Sequence, residues 1–554
     1  MQEALVLFAL AAGVAAVTAP AAWRRLQLSR AKHRSLAGHA RIARRIAKLL
    51  PGYRYSGPEF FACDGAGPEI ATRREAAFNQ LCAEFRARYA EGYAMTRAAR
   101  ELISDLQFIS RYRVPFQFAE RIAASLMTSS FVDRTEGIHL IDLDGNVMVD
   151  LTGSYGVNLL GNEFYKTSIE AGVATVRDLG CVLGSYHPCV LENAARLREI
   201  SGLDEVSFHM SGTEAVMQAV RLARYHTGRS HLVRFCGAYH GWWEDVQPGP
   251  GNPVPPRDTY TLRDMDERSL KVLASRSDIA CVLVNPLQAL HPNAPAPGDS
   301  SLVDSGRRAG FDRVAYTRWL EQLREVCTAR GIALIFDEVF LGFRLAPGGA
   351  QEYFGVRADM VTYGKTLGGG LPVGVVCGRA ALMKRFRDDR PADICFARGT
   401  FNAHPYVMGS MKAFLDALQT RPIQDLYANL DVVWNERADR LNHRLEALRL
   451  PVRVANLSTV WTILYTTPAR YNWMLQFYLR AEGLALSWVG SGRLIFSLDF
   501  TAADFDEVSE RFIVACERMR ADGWWQGPET TNQSIRKSIF GEVVRRGVFR
   551  RGAV

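Results

Sequence analysis

Apolar runs of strand length alternate with helical patterns from about residue 166 to residue 420, and this alternation limits the possible folds more than any other feature. The clearest runs are VSFHM, HLVRF, IACVLVN, IALIFDE and MVTYG. Strands that alternate with helices pair mostly in parallel, because a parallel pair needs a long crossover connection. We therefore predict a large α/β domain over residues 166–420, with a mostly parallel sheet and helices on both faces.

The pattern changes on both sides of this domain and predicts the remaining boundaries. Residues 115–165 contain a hairpin around a DG turn, and residues 421–526 carry a helix, short strands and a last helix. These two segments are predicted to form a smaller α+β domain. Residues 24–114 are predicted to be a basic, helical extension, and residues 527–554 a basic tail. Residues 291–312 form a proline-rich loop of a length usually associated with function or disorder.

The positive charge of the chain is concentrated at its ends. The formal net charge is +9, but the segment from Arg24 to Lys48 holds nine Lys or Arg and no acid. Residues 531–554 add six basic residues against Glu542, so the rest of the chain is mildly acidic. Basic ends on such a body favour contact with a membrane surface over a nucleic-acid groove.

Residues 4–23, ALVLFALAAGVAAVTAPAAW, form an uncharged run of 20 residues. As a helix this run is about 30 Å long, which matches a hydrocarbon core, so we predict a membrane anchor over residues 1–23. A cleaved signal peptide lacks its basic n-region here, and a misplaced start codon or a buried helix is a further alternative. The basic residues that follow place the body in the cytoplasm by the positive-inside rule. The basic and apolar residues 29–50 predict either an amphipathic helix on anionic lipid or a solvated helix.

The ten cysteines are scattered, with no CxxC pair and no His/Cys cluster at zinc spacing. They favour buried thiols in a reducing compartment over a disulfide framework, and no metal site is predicted.

A lysine in a glycine-rich loop and an acid at the end of a strand are the first two residues with chemical potential. Lys365 lies in YGKTLGGGLPVG, 28 residues after Asp337 in LIFDEVFLGFR. A carboxylate beyond a buried strand is costly unless it is paired, and the protonated nitrogen of a pyridine ring is such a partner. Pyridoxal phosphate chemistry needs this anion together with an amine for a Schiff base. Taken alone, Asp337 could be a helix N-cap and Lys365 an exposed lysine.

Two further motifs could complete such a site. Ser211, Gly212 and Thr213 open a helix after the strand VSFHM, where free N–H groups and the helix dipole favour a phosphate group. The alternative is an ordinary N-cap. In CGAYHGWW, Tyr239 could lie flat on a ring or be a core tyrosine, and His240 is interpreted as a supporting hydrogen-bonding residue. The four motifs occur in the order of a single site.

The chain resembles the class III, fold-type-I pyridoxal phosphate aminotransferases, in particular the glutamate-1-semialdehyde aminomutase branch. The resemblance extends from about residue 130 to 520 and is carried by SGTEAVMQAVRLAR, AYHG, LIFDEVFLGFR, YGKTLGGGLPVG and GTFNAHP. NPLQALHPNAPAP and FARGTFNAHP are most similar to aminotransferase domains of polyketide and nonribosomal peptide assembly lines. The implied fold has a large, mostly parallel sheet domain and a smaller α+β domain.

The resemblance implies roles for individual residues. Lys365 forms the internal aldimine with pyridoxal 5'-phosphate and carries the proton between Cα and C4′, and Asp337 holds the pyridine nitrogen. Val339 and Tyr239 pack on the two faces of the ring. The phosphate binds through Gly212 and Thr213.

Two further residues are implied more distantly. Thr400, in GTF, resembles a threonine that reaches the phosphate of the neighbouring subunit, so a homodimer is expected. Gln288 matches a contact to the ring hydroxyl. The chain departs from the family at Asn285, where glutamate is usual, at Met210, where asparagine is common, and in residues 487–497, which lack the glutamate of the aminomutase.

The expected reaction moves an amino group from a donor to a keto or aldehyde acceptor. A lipophilic, acyl-chain or carrier-bound natural-product intermediate is the acceptor class that the anchor and the assembly-line resemblance favour. One alternative is a 2,1-aminomutase, which exchanges the two groups within one substrate. The other is a catalytically silent, membrane-bound assembly partner.

Overall fold

The computed structural model describes residues 2–126, 128–247, 249, 251–254, 256–293, 309–487 and 492–550. Side chains are described for these residues except 2–15, 17, 37, 110 and 547–550. Most of the predicted loop 291–312 lies outside the described residues. The described strands are β1 (Arg134–Glu136), β2 (His139–Ile141), β3 (Val147–Asp150), β4 (Glu205–His209), β5 (His231–Phe235), β6 (Thr259–Leu262), β7 (Ile279–Val284), β8 (Ala333–Asp337), β9 (Met360–Gly364), β10 (Gly374–Gly378), β11 (Phe386–Arg387), β12 (Arg390–Ile394), β13 (Val452–Leu457), β14 (Val460–Tyr465), β15 (Leu484–Ala485) and β16 (Arg493–Ile495).

Helices surround these strands and also precede and follow them in the chain. They are α1 (Gln2–Ala31), α2 (Ala40–Leu49), α3 (Glu59–Ala62), α4 (Pro68–Arg88), α5 (Ala90–Leu102), α6 (Ser104–Tyr112), α7 (Ala119–Ser125), α8 (Asn162–Val176), α9 (Cys189–Ser201), α10 (Gly212–Thr227), α11 (Glu267–Ser275), α12 (Arg313–Arg330), α13 (Gly349–Phe354), α14 (Ala380–Met383), α15 (Pro405–Ala417), α16 (Arg421–Tyr427), α17 (Leu430–Ala447), α18 (Leu475–Ala481), α19 (Ala502–Ala521) and α20 (Asn532–Arg550).

A seven-stranded sheet forms the centre of the molecule, in the order β4-β10-β9-β8-β7-β5-β6. The pairs from β9 to β6 are parallel, and β10 runs antiparallel to both of its neighbours. All residues of β7, β8, β9 and β10 are buried, as expected for strands covered on both faces. The predicted α/β fold with a mostly parallel sheet is therefore confirmed. The carboxyl ends of β8 and β9 carry the acid and the lysine singled out above.

Three smaller sheets lie outside this centre. The DG hairpin is present as β2 and β3, within the sheet β1-β2-β3-β15. Strand β15 pairs in parallel with β3 and so joins a C-terminal segment to an N-terminal one. Strands β13, β14 and β16 form an antiparallel sheet, and β11 pairs with β12.

The predicted membrane anchor is wrong. In the part of the chain that the structure describes, no helix combines the length and the apolar character needed to cross a bilayer. Nine of the 20 residues from 4 to 23 are alanine, whose single methyl group gains little from burial in hydrocarbon. Helix α1 includes the uncharged run and continues to Ala31. The expected localisation by a single N-terminal span is withdrawn with it.

The end of α1 instead packs against the edge of the central sheet. Ala31 is fully buried, and its carbonyl accepts a hydrogen bond of 2.9 Å from the backbone N–H of Arg263, which directly follows β6. Because β6 is an edge strand, this contact helps to cover an edge that could otherwise pair with another chain. Helix α2 is more exposed. Among its described side chains, only that of Ala43 is buried.

The extension and the C-terminal segment form a joint aromatic core. It includes Phe60, Phe61, Phe78, Phe118, Tyr471 and Trp524, all of them buried. Helix α20 contributes Glu542, which accepts a hydrogen bond of 2.9 Å from the Tyr53 hydroxyl and pairs with Arg470 at 2.7 Å. The segment after residue 527 therefore packs on the body through buried side chains, although its sequence shows no core pattern.

Candidate active site

Lys365 directly follows β9 and opens a short 3-10 turn, Lys365–Gly368. Its φ of 49° lies in the left-handed region, which is strained for a residue with a side chain. The side chain is half-buried, with Nζ 5.7 Å from the centre of the Phe340 ring. Burial lowers the pKa of Lys365, and the charge of Asp337 partly opposes this shift. The lysine is therefore an amine that gives up its proton more readily than a surface lysine does.

Asp337 ends β8 and is almost fully buried. Its Oδ2 lies 2.7 Å from Nδ1 of His240, and its Oδ1 accepts hydrogen bonds from the Val339 N–H at 3.2 Å and the Thr362 hydroxyl at 3.3 Å. Burial lowers the pKa of His240 although Asp337 acts in the opposite direction, which favours a neutral ring that donates from Nδ1. His240 is thus a hydrogen-bonding partner of Asp337, and its buried Nε2 has no hydrogen-bond partner among the described residues.

The SGT motif forms the N-terminus of α10. The Ser211 hydroxyl accepts a hydrogen bond of 3.2 Å from the Glu214 N–H. Ser211 is therefore an ordinary helix N-cap, which was the alternative interpretation of this motif. A Cβ on Gly212 would lie 2.5 Å from Cγ1 of Val339, and a Cβ on Gly241 would lie 2.6 Å from Oγ1 of Thr213. The helix N-terminus, the residue after Glu338 and the AYHG loop therefore meet at one place.

The other predicted site residues, Tyr239, Gln288 and Thr400, differ in how deeply they are buried. Tyr239 is 62% exposed, as expected of a ring that is still available for stacking. Gln288 is buried in the 3-10 turn Pro286–Leu290, and its Oε1 has no hydrogen-bond partner among the described residues. Thr400 is exposed in the turn that precedes α15 and has no described contact with the other site residues. Its role across a dimer stays a prediction.

Gly156 and Phe340 were missed by the sequence interpretation. Gly156 has a φ of 95°, and a Cβ there would lie 2.8 Å from the Phe340 ring and 3.3 Å from Cδ of Lys365. Arg344 is buried and donates to the carbonyls of Gly156 at 3.3 Å and Asn158 at 3.0 Å, which fixes this backbone against the lysine. The glycines of GSYG were the only signal for this contact in the sequence, because its geometry depends on tertiary structure.

Cations surround the Phe340 ring. Nζ of Lys365, Cζ of Arg344 and Cζ of Arg493 each lie within 6 Å of its centre. Arg493 begins β16 and lies within residues 487–497, the segment that lacks the glutamate of the aminomutase. The site thus combines a half-buried amine, a buried carboxylate and a helix N-terminus in a positively charged setting, which suits an anionic cofactor or substrate.

Comparison with known proteins identifies the protein family to which this chain belongs. A family model described as "Aminotransferase class-III" matches residues 122–244 and 308–516. The chain therefore belongs to the class-III aminotransferases. This result confirms the resemblance drawn from the motifs, and with it an enzyme of the pyridoxal phosphate-dependent aminotransferase type.

Individual relatives agree with this assignment. A glutamate-1-semialdehyde 2,1-aminomutase of Nitratidesulfovibrio vulgaris is 34% identical over 348 residues, which cover 61% of this chain and 77% of the relative. The enzyme of the same name from Methanocaldococcus jannaschii is 30% identical over 397 residues, covering 68% and 83%. A solved structure described as a transaminase with PLP bound is 26% identical, covers 72% of this chain and 93% of its own, and has a TM-score of 0.59.

Proposed function

We propose that this chain transfers an amino group from an amino donor to a keto or aldehyde acceptor in two half-reactions, with pyridoxal 5'-phosphate as cofactor. The observation that carries the proposal is the buried pair of His240 and Asp337 beside a half-buried lysine whose pKa is lowered. When bound, the cofactor supplies an electron sink for the carbanion that forms when a proton leaves the amino-bearing carbon.

The described residues fit this cofactor. The N–H groups of Gly212 and Thr213 at the start of α10 would hold its phosphate. Asp337, held by His240, would bind the pyridine nitrogen. The buried Gln288 Oε1, which has no hydrogen-bond partner among the described residues, suits the ring hydroxyl. The absence of a Cβ at Gly212 keeps Val339 close to the helix N-terminus, where this side chain would pack on one face of the ring.

Lys365 would move the proton. Its lowered pKa increases the fraction of neutral amine near neutral pH, and a neutral amine can accept a proton that an ammonium group cannot. Gly156 and Phe340 pack against its side chain and restrict its positions. Tyr239 would cover the second face of the ring.

The direct test uses Lys365→Ala, with Lys384→Ala as a matched control because Lys384 is paired with Asp388 away from the site. Purified wild type and the Lys384 variant are expected to show the visible absorption band of a lysine-bound cofactor and to transfer an amino group from a screened donor. Lys365→Ala should lose both. If the Lys365 variant kept full activity, the proposed role of Lys365 would be wrong. If wild type bound no pyridoxal phosphate and transferred no amino group, the proposal would be wrong and a catalytically silent assembly partner would be favoured.

An aminomutase is a second candidate function, because the cited curated relatives carry that name. A mutase returns the amino group to the same substrate, whereas a transaminase takes it from a donor. A ¹⁵N-labelled donor separates the two, since label in the product identifies a transaminase. Because no membrane span is present among the described residues, the hypothesis of a lipophilic acceptor is now supported only by the resemblance to assembly-line aminotransferase domains.

We also propose a homodimer in which Thr400 serves the site of the neighbouring subunit. Its exposure and the exposed aromatic side chains nearby in sequence, Phe396 and Phe401, support this arrangement. Thr400→Ala should weaken cofactor binding. Co-expression with Lys365→Ala should then restore activity, because one of the two sites in a mixed dimer carries neither substitution. Unrestored activity in mixed dimers would contradict the exchange.

The strand pairings support the proposed division of the body. Residues 166–420 contain the seven-stranded sheet, and the pairing of β15 with β3 brings together the segments 115–165 and 421–526, which we propose as the small domain.

A further inference from the structure

The loop from Gly237 to Gly241 presents two residues of the proposed site, Tyr239 and His240. Both terminal glycines have φ values in the left-handed region, 87° and 94°, so the chain turns sharply at each end. With 62% of its surface exposed, the Tyr239 side chain is fixed only in part by packing. Its direction depends on how the loop backbone is held.

Asn285 holds the backbone of Tyr239. It directly follows β7 and is 9% exposed. Its Oδ1 accepts the Leu287 N–H at 3.1 Å, and its Nδ2 donates to the Tyr239 carbonyl at 2.9 Å. Because Oδ1 accepts the Leu287 N–H, the Asn285 side chain directs its NH2 group towards the loop. A carboxylate of the same shape could keep the cap but could not donate to Tyr239.

Other bonds hold the loop on both sides of this point. Arg234, buried in β5, donates to the carbonyls of Ala238 and Val246. His240 is held by Asp337. The bond from Asn285 is the one described side-chain hydrogen bond that acts on Tyr239 itself.

We infer that Asn285 is a positioning residue that orients Tyr239 towards the face of the cofactor ring. The inference rests on the proposed function, because it assigns to Tyr239 the role of covering that face. Asn285 acts through the Tyr239 backbone. Without its donor, the carbonyl of Tyr239 can rotate and the ring no longer has a fixed direction.

Asn285→Asp tests this inference, with Asn442→Asp as a matched control. Asn442 makes the same pair of bonds, accepting the Val454 N–H at 2.8 Å and donating to its carbonyl at 3.0 Å, but it lies in α17. We expect Asn285→Asp to weaken the binding of pyridoxal phosphate to the apoprotein by about tenfold, the effect of one lost hydrogen bond to a buried group. Asn442→Asp should leave the dissociation constant unchanged.

A double-mutant cycle shows whether Asn285 acts through the ring of Tyr239. In a Tyr239→Ala background the ring is absent, so Asn285→Asp should have no further effect on the dissociation constant. An equal loss in both backgrounds would mean that Asn285 does not act through the Tyr239 ring and would overturn the inference.

A second readout needs no cofactor. With 3-fluorotyrosine placed at position 239 of the apoprotein, the ¹⁹F resonance should shift or broaden in Asn285→Asp and stay unchanged in Asn442→Asp. An unchanged resonance and an unchanged dissociation constant in Asn285→Asp would also overturn the inference. If wild type failed to bind pyridoxal phosphate at all, the proposed function itself would have failed.

Discussion

Glu338 is a buried acid next to the candidate active site, and it has no role in the proposed reaction. It is 1% exposed, and its Oε2 accepts the Ala350 N–H at 2.6 Å, at the start of α13. Burial raises the pKa of Glu338 to about 8, while the N–H groups of Ala350 and Gln351 act in the opposite direction. The folded protein therefore keeps this carboxyl group protonated at neutral pH, where the unfolded chain releases the proton.

This difference predicts a pH dependence of stability. Because the folded state binds the proton more tightly, Glu338 lowers the free energy of unfolding as the pH rises from its ordinary pKa to about 8. Glu338→Gln keeps an acceptor and cannot ionise. Urea unfolding of the apoproteins at about pH 5 and about pH 9 should show wild type losing stability relative to the variant. Parallel pH profiles would show that Glu338 does not titrate as described.

The sequence predicted the residues whose identity alone suggests chemistry. Lys365 and Asp337 were singled out because they occur together with the SGT and AYHG motifs in the order of a single site. In the structure Lys365 lies beside the Phe340 ring, and Asp337 is hydrogen-bonded to His240. Gly156 and the positioning role of Asn285 could not be found in this way. Their contribution is a backbone position or a hydrogen bond to a distant carbonyl, which exists only after the strands are assembled.

At the scale of elements, the N-terminus of α10 and the end of β8 are in unusually close contact. Gly212 makes this possible, because any Cβ there would overlap with Val339. Val339, two residues beyond the end of β8, and the first residue of α10 are therefore in direct contact. The phosphate and the ring of the cofactor are proposed to meet at this contact.

Gly212→Ala should reduce the stability of the apoprotein by about 1–3 kcal/mol, the usual cost of overpacking, and should also weaken binding of pyridoxal phosphate. Val339→Ala in the same chain removes the two methyl groups that the new Cβ would touch. Thermal unfolding should therefore show that the double variant recovers most of the lost stability. If Val339→Ala gave no recovery, the contact between Gly212 and Val339 would not be the cause.

The sequence predicted the five clearest strands of the central sheet, but not β6 or β10. Strand β10 begins and ends with glycine, which is disfavoured in strands, and its pairing on both sides compensates for this. Strand β6 is a half-buried edge strand with little apolar periodicity. The membrane anchor was mispredicted because length and the absence of charge were weighed more heavily than the low hydrophobicity of alanine.

At the scale of the whole molecule, the Glu542 carboxylate connects α20 and the N-terminal extension, which both lie outside the family match, to Arg470, which lies within it. Arg470 and Glu542 are both buried, and Glu542 also accepts hydrogen bonds from the hydroxyls of Tyr53 and Tyr55. Burial opposes the ionisation of Glu542, but the bonds from Arg470 and Tyr55 outweigh it and keep its pKa below the ordinary value. One carboxylate, that of Glu542, therefore holds together the extension, α20 and the segment before α18.

Glu542→Ala should cost about 3–5 kcal/mol of unfolding free energy, because it leaves the Arg470 guanidinium buried without its partner. Glu69→Ala is the control, since Glu69 pairs with Arg73 on the surface of α4 and should cost less than about 1 kcal/mol. Urea unfolding measures both. Equal costs for the two variants would contradict a buried role for the pair.

The bond between Tyr53 and Glu542 connects residues 489 positions apart in the chain. During synthesis the N-terminal extension leaves the ribosome long before α20 is made, so the hydroxyls of Tyr53 and Tyr55 have no Glu542 carboxylate to donate to until the end of translation. Such a long-range contact forms late and slowly. The aromatic side chains of the extension therefore lack their C-terminal packing partners for most of translation.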